Sequence, residues 1–72
     1  MRASTDKLQI KILKLLHVSP EPLETKEIEL ALETTRIKTL YRLNLLRGDQ
    51  KICGKPMGSG KGVWVWWRKN AF

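Results

Sequence analysis

The chain has 72 residues, and its 14 Lys and Arg against 7 Asp and Glu give a formal net charge of +7. A chain of this length buries only about 60% of the surface that its unfolded form exposes, which excludes most enzymes with a deep, walled active site. The apolar content of 42% predicts one folded domain over residues 1–72, and the positive charge favours a polyanionic partner, nucleic acid before an anionic membrane.

Residues that carry metal, disulfide and catalytic chemistry are scarce in this sequence. Cys53 is the single cysteine and His17 the single histidine, so an internal disulfide is excluded and a Cys/His zinc site lacks ligands. No carboxylate pair and no nucleophile–base couple stands out, which predicts a protein that is not an enzyme and needs no cofactor. The longest apolar run, residues 63–67, is too short to cross a membrane, and the amino terminus lacks the apolar run of a signal peptide. We therefore expect a cytoplasmic, nucleoid-associated protein without a membrane partner.

The first predicted element is a helix over residues 5–17. Ser4 or Thr5 is a suitable N-cap, and Asp6 then lies in the first turn, where the helix dipole favours an anion. Apolar side chains recur at helical spacing at Leu8, Ile12, Leu15 and Leu16. Pro20 cannot continue a helical hydrogen-bond ladder, so the helix ends before it.

A second helix is predicted over residues 26–33, after a short extended segment at Leu23 and Glu24. Thr25 is a suitable N-cap for this helix, and acidic residues near its start complement the positive end of the dipole. Its apolar side comprises Ile28, Leu30, Ala31 and Leu32.

A third helix is predicted over residues 35–47. Thr34 or Thr35 is a suitable N-cap, and Gly48 fits the position just beyond a helix end. One side of this helix carries Ile37, Leu40, Leu43 and Asn44. The other side, which we expect to face outward, carries Thr35, Lys38, Thr39 and Arg42.

Beyond Gly48 the apolar period changes from 3.6 residues to about 2, which is typical of strands. Residues 51–55 and 63–68 are the predicted strands, and a Gly-rich tip at residues 56–62 joins them. Together they predict a β-hairpin over residues 51–68, which completes an α+β fold.

The positive charge is concentrated in the second half of the chain. Residues 1–35 contain five basic and six acidic residues, whereas residues 36–72 contain nine basic residues and a single acidic one, Asp49. The third helix and the hairpin therefore carry the surface that favours a polyanion.

The predicted helix, turn and helix over residues 25–48 have the sequence TKEIELALETTRIKTLYRLNLLRG, and Ile52 and a Gly-tipped hairpin follow. Over residues 5–69 the chain resembles the winged helix-turn-helix domain, in particular that of compact archaeal transcription regulators, including those of archaeal viruses and plasmids. The shared pattern is mostly apolar spacing, and the turn between the second and third helices lacks the Gly often found there. The resemblance implies three helices with a C-terminal β-hairpin wing, sequence-specific binding of double-stranded DNA, and regulation of transcription.

The third helix is the recognition helix in this resemblance, and it enters the major groove. Arg36 and Lys38 lie in its first turn, where the positive helix end disfavours cations by ~0.3–1 kcal/mol unless a phosphate binds there. Arg42 and Thr39 are expected at base edges, because Arg reads guanine and Thr contacts a thymine methyl group. Thr35 completes the predicted contacts of this helix. A solvated basic face without a ligand is the alternative.

The hairpin is expected to lie along the DNA backbone or the minor groove as the wing. Lys55 and Lys61 are point charges suited to phosphates, and the glycines of the tip let the backbone approach a sugar-phosphate strand closely. The tip is no nucleotide-binding P-loop, because Gly62 stands where Ser or Thr is needed and no helix follows. Nothing in the sequence implies a small-molecule effector.

Val63-Trp64-Val65-Trp66-Trp67 alternates between the two faces of the sheet, with Trp64 and Trp66 on one of them. Only one face packs on the helices, and tryptophans on the other face need a cover. We favour a homodimer with Trp64 and Trp66 at its interface; cover by Ala71 and Phe72, or by unpaired bases stacked on the rings, is the alternative. Two other functions stay open: a protein–protein adaptor that uses this face, and a single-stranded nucleic acid binder.

Overall fold

Three helices and a three-stranded antiparallel sheet follow one another in the structure, a computed structural model that describes residues 6–58 and 62–70. The elements are α1 (Lys7–Val18), β1 (Leu23–Glu24), α2 (Thr25–Leu32), α3 (Arg36–Gly48), β2 (Ile52–Pro56) and β3 (Trp64–Arg68). The predicted α+β fold with a C-terminal β2–β3 hairpin is confirmed, in the arrangement of a winged helix. Within the described residues, no helix has the length and apolar character needed to cross a membrane.

Asp6 is the N-cap of α1, in place of the Ser4 or Thr5 that the sequence suggests and that lie outside the described residues. The Gln9 N–H donates to Oδ1 of Asp6 at 2.8 Å, and the Asp6 N–H donates to Oε1 of Gln9 at 2.9 Å. This reciprocal capping box satisfies two backbone donors at once, so the helix begins at Lys7.

α2 begins at Thr25, one residue before its predicted start, and Glu24 is its N-cap. The Glu24 N–H donates to Oε1 of Glu27 at 2.7 Å. Glu33, just beyond the helix, has φ of 53° and ψ of 50°, the left-handed conformation that Gly adopts most readily. A glutamate therefore takes the backbone conformation of the turn glycine that the sequence lacks.

β3 is the central strand of the sheet, between β1 and β2. Trp66 lies opposite Leu23 of β1 and opposite Gly54 of β2 in the two antiparallel registers. A Cβ atom added to Gly54 would lie 2.5 Å from Cε3 of the Trp66 ring. The glycine thus leaves the space that the indole ring occupies.

Trp66 is the largest fully buried side chain of a core that lies between the helices and the sheet. The other buried members of this core are Ile12, Leu16, Ile28, Leu43, Leu46 and Ile52. The indole Nε1–H of Trp66 donates to Oγ1 of Thr25 at 2.9 Å, which satisfies the polar group that this ring buries. The Thr25 hydroxyl, which the sequence predicts as a helix cap, therefore accepts a hydrogen bond from a core side chain.

Trp64 and Trp66 lie on the face of β3 that packs against the helices, and the burial of Trp66 corrects its predicted place at a dimer interface, whereas that of Trp64 stays a prediction. Trp66 is 1% exposed and offers no surface to a second chain. Trp64 is half-buried: its ring stacks on that of Trp66 at a centroid distance of 5.4 Å, and the Arg47 guanidinium lies 5.2 Å from its centroid. The physical reason is that α1 and α2 pack against β3 and cover this face. Homodimerisation itself stays a prediction, without Trp66 in the interface.

Candidate nucleic-acid interface

α3 presents an apolar strip to solvent. Its buried residues are Thr39, Leu43 and Leu46. Because successive helical residues differ by about 100°, Ile37, Tyr41 and Asn44 project from the opposite side. Ile37 is 82% exposed and Tyr41 is 59% exposed. We refer to these three residues as the outer face of α3.

Thr39 is fully buried, so its predicted place at base edges is wrong. Its hydroxyl donates to the carbonyl oxygen of Thr35 at 2.7 Å, and this bond lets the side chain be buried without an unpaired polar group. The predicted inner side of α3 is rotated as well, since Ile37 and Asn44 are exposed. The apolar residues of this helix fit more than one helical phase, and packing against the core selects the phase that places Leu43 inside.

Arg42 is directed toward the start of α1. Its Nη2 atom lies 3.0 Å from Oδ2 of Asp6, and its Nε–H donates to the same oxygen at 3.1 Å. The backbone N–H of Gln9 and, after it, the Arg42 guanidinium lower the pKa of the Asp6 carboxyl from its ordinary value of 3.8. Arg42 therefore forms a partly exposed ion pair with Asp6, and its contact with base edges stays a prediction.

Three predicted contact residues are exposed at the start of α3. Thr35 is the N-cap, as predicted, and its Oγ1 accepts the Lys38 N–H at 3.2 Å. Arg36 and Lys38 flank Ile37 in the sequence, so they project about 100° to either side of it. Cations therefore stand on both sides of the outer face.

On the Lys38 side, a groove of about 350 Å³ runs between α1, the end of α2 and α3. The charged side chains that line it are those of Lys7, Lys11, Glu33, Lys38 and Arg42. We refer to it as the first basic groove. Lys7 and Lys11 are not among the predicted site residues, although their i, i+4 spacing marks them as one helix face. Only the fold shows that this face adjoins α3.

On the Arg36 side, α3 meets the wing. Arg36 lines a small depression together with Lys26 of α2 and Val63 of the hairpin. Lys55 is exposed on β2. Lys61 lies outside the described residues, so its contact with a phosphate stays a prediction.

A second basic groove, of about 710 Å³, lies at the other end of α1. The basic and imidazole side chains that line it are those of Lys14, His17, Lys51, Arg68 and Lys69. It shares no residue with the first basic groove. The part of the molecule that the structure describes therefore carries separate cationic surfaces at the two ends of α1.

Comparison with known protein families, curated proteins and solved structures gives no match for this chain. The winged-helix arrangement therefore describes the fold alone, and a fold of this kind is compatible with several functions. The side chains on α3 and beside it carry the functional inference.

Proposed function

We propose that the protein is a sequence-specific, double-stranded DNA-binding regulator of transcription, with α3 in the major groove and the hairpin on the flanking backbone or minor groove. One observation carries the proposal: cations flank the exposed outer face of α3 on both sides. Arg36 lies toward the wing, and Lys38 lies toward the first basic groove. Winged-helix domains also bind proteins, so it is the placement of charge that favours DNA.

The dimensions and composition of α3 support this role. Its 13 residues give a helix about 20 Å long, and a major groove about 12 Å wide admits a single helix. The helix contains four basic residues and no acidic one, the basic residues being Arg36, Lys38, Arg42 and Arg47. In such a complex the flanking cations meet phosphates while the outer face reaches the base edges.

The alternatives that need both Trp64 and Trp66 at the surface have less support. A single-stranded nucleic acid binder would use the two rings as stacking platforms, and Trp66 is buried. A protein–protein adaptor that uses the same face would also need Trp66 at the surface, where it is not exposed. Duplex DNA is therefore the polyanion that the described surface favours.

A binding series tests the proposal with duplex DNA, single-stranded DNA and RNA of equal length, each at several salt concentrations. We expect the tightest binding to the duplex and a steep dependence of log Kd on log salt, since each neutralised phosphate releases about 0.9 counterion. Lys38→Ala should reduce this slope by about 0.9, whereas Lys14→Ala, which removes a lysine of the second basic groove, should leave it unchanged. Absence of salt-dependent duplex binding would overturn the proposal.

A further inference from the structure

The outer face of α3 is apolar at the point where it lies between cationic surfaces. Ile37 is 82% exposed and Tyr41 is 59% exposed, so neither side chain contributes much to the core. Single exposed apolar side chains such as Val18 and Leu30 are ordinary, whereas Ile37 and Tyr41 are neighbours on one helix face. The chemistry of the partner must therefore account for these two side chains as well as for the charge around them.

Two polar side chains of α3 that can read bases also make contacts within the chain. Arg42 forms a partly exposed ion pair with Asp6. The Nδ2 of Asn44 donates one of its two hydrogens to the carbonyl oxygen of Leu40, one turn earlier, at 2.9 Å. Ile37 and Tyr41 lie at the centre of the outer face, with the Arg42 guanidinium 5.4 Å from the centroid of the Tyr41 ring.

Duplex DNA offers an apolar group on its base edges in the major groove, the 5-methyl group of thymine. We propose that Ile37 and Tyr41 recognise thymine 5-methyl groups, so that the preferred site holds A·T pairs opposite the outer face. This inference rests on the duplex binding proposed above.

The geometry and the charge of the outer face both favour this occupant. Ile37 and Tyr41 are one helical turn apart, about 6 Å along the axis, which spans about two base-pair steps of 3.4 Å. The cations on either side complement phosphates, whereas a second copy of a chain of net charge +7 would bring like charges together.

The test begins with duplexes that the protein selects from a random-sequence pool. Each thymine of the selected site is then replaced by deoxyuridine, which pairs with adenine but lacks the methyl group. We expect one or two positions at which this replacement lowers the affinity about fourfold, the factor that corresponds to ~0.8 kcal/mol for a buried carbon group. The other thymines of the site control for general effects of uracil on the duplex.

Variants of α3 assign the sensitive positions. Ile37→Ala should remove most of the thymine–uracil difference at one position, whereas Ile37→Val should retain most of it. Lys38→Ala should weaken binding to both duplexes equally and leave the difference unchanged. Because Ile37 is largely exposed, its variants should fold as the wild type does, which circular dichroism checks.

The possible results distinguish failure of the thymine inference from failure of the proposed DNA binding. Salt-dependent duplex binding with equal affinity for thymine and uracil at every position would overturn the thymine inference and leave DNA binding standing. Failure to bind any duplex would overturn both. A change of oligomeric mass in Ile37→Ala, with DNA affinity unchanged, would assign the outer face to a second copy and also overturn the inference.

Discussion

Two small residues let a single tryptophan occupy the centre of this core. Gly54 leaves room for the ring of Trp66, and Thr25 provides the acceptor for its indole N–H. An isolated glycine within a strand indicates the close approach of another group, so Gly54 is a signal in the sequence for a close contact, and the register of β2 and β3 shows that the group is Trp66. The partner hydroxyl carries no such signal, because Thr25 is 41 residues away from Trp66 along the chain.

We expect Thr25→Val to lower the free energy of unfolding by about 1–3 kcal/mol, because it leaves the buried indole N–H of Trp66 without an acceptor. Thr25→Ser is the matched control, since it keeps the hydroxyl and removes only a methyl group. Urea denaturation of both variants measures the difference. Equal stability of the two variants would show that the hydrogen bond contributes nothing to the fold.

At the scale of the helices, the carboxyl of Asp6 joins the cap of α1 to Arg42 of α3. We expect Asp6→Ala to destabilise the fold by about 1 kcal/mol, the usual cost of losing an N-cap, and Asp6→Asn to cost less because Asn also caps helices. The ion pair adds little to these costs, because both side chains are partly exposed. Denaturation at neutral pH measures both variants.

The Asp6 carboxyl also makes the stability of the fold depend on pH. Because the pKa of Asp6 is lower in the folded state, its contribution to stability is fully present above the ordinary value of 3.8 and is lost as the pH falls through the lowered value. The difference in stability between the wild type and Asp6→Asn should therefore shrink below pH 3.8. If the difference in stability between the wild type and Asp6→Asn stays constant below pH 3.8, the effect of Asp6 on stability does not depend on the ionisation of its carboxyl.

The turn between α2 and α3 depends on a strained residue. A left-handed conformation costs an L-residue about 1–2 kcal/mol, and Glu33 adopts one at φ of 53°. Glu33→Gly should relieve this strain and lose about 0.4–1 kcal/mol to the greater freedom of the unfolded chain, for a net gain of about 0.5–1 kcal/mol. Glu33→Ala, which removes the carboxylate and keeps the strain, is the control. Thermal unfolding that ranks Ala above Gly would contradict this explanation.

For the whole molecule, the order of the elements is predictable from sequence and the faces of two of them are not. Apolar periodicity fixes the type of each long segment, so the three helices and the hairpin follow from it. Apolar periodicity does not decide which side of α3 faces the core, because the apolar residues of this helix are compatible with Ile37 either buried or exposed. The inner face of β3 depends on the packing of the helices, and the pair of Arg42 with Asp6 joins residues 36 positions apart. Long-range contacts of this kind decide which side chains are free to meet a ligand.

The distribution of charge over the molecule distinguishes docking through α3 from a general attraction to DNA. The first basic groove adjoins α3, whereas the second basic groove lies at the other end of α1. A general attraction of a +7 chain to DNA would use both surfaces, whereas docking through α3 uses the first.

Two double variants with the same net charge distinguish these cases. Lys7→Ala with Lys11→Ala removes two cations from the first basic groove, and we expect the slope of log Kd against log salt to fall by up to about 1.8, at 0.9 for each phosphate that the variant no longer neutralises. Lys14→Ala with Lys51→Ala removes two cations from the second basic groove, and because these residues lie away from α3 the slope should stay near that of the wild type. Fluorescence anisotropy with one duplex at a series of salt concentrations measures both. Equal reductions of the slope in the two variants would mean that net charge alone drives binding, and a larger reduction for Lys14 and Lys51 would move the DNA to the second basic groove.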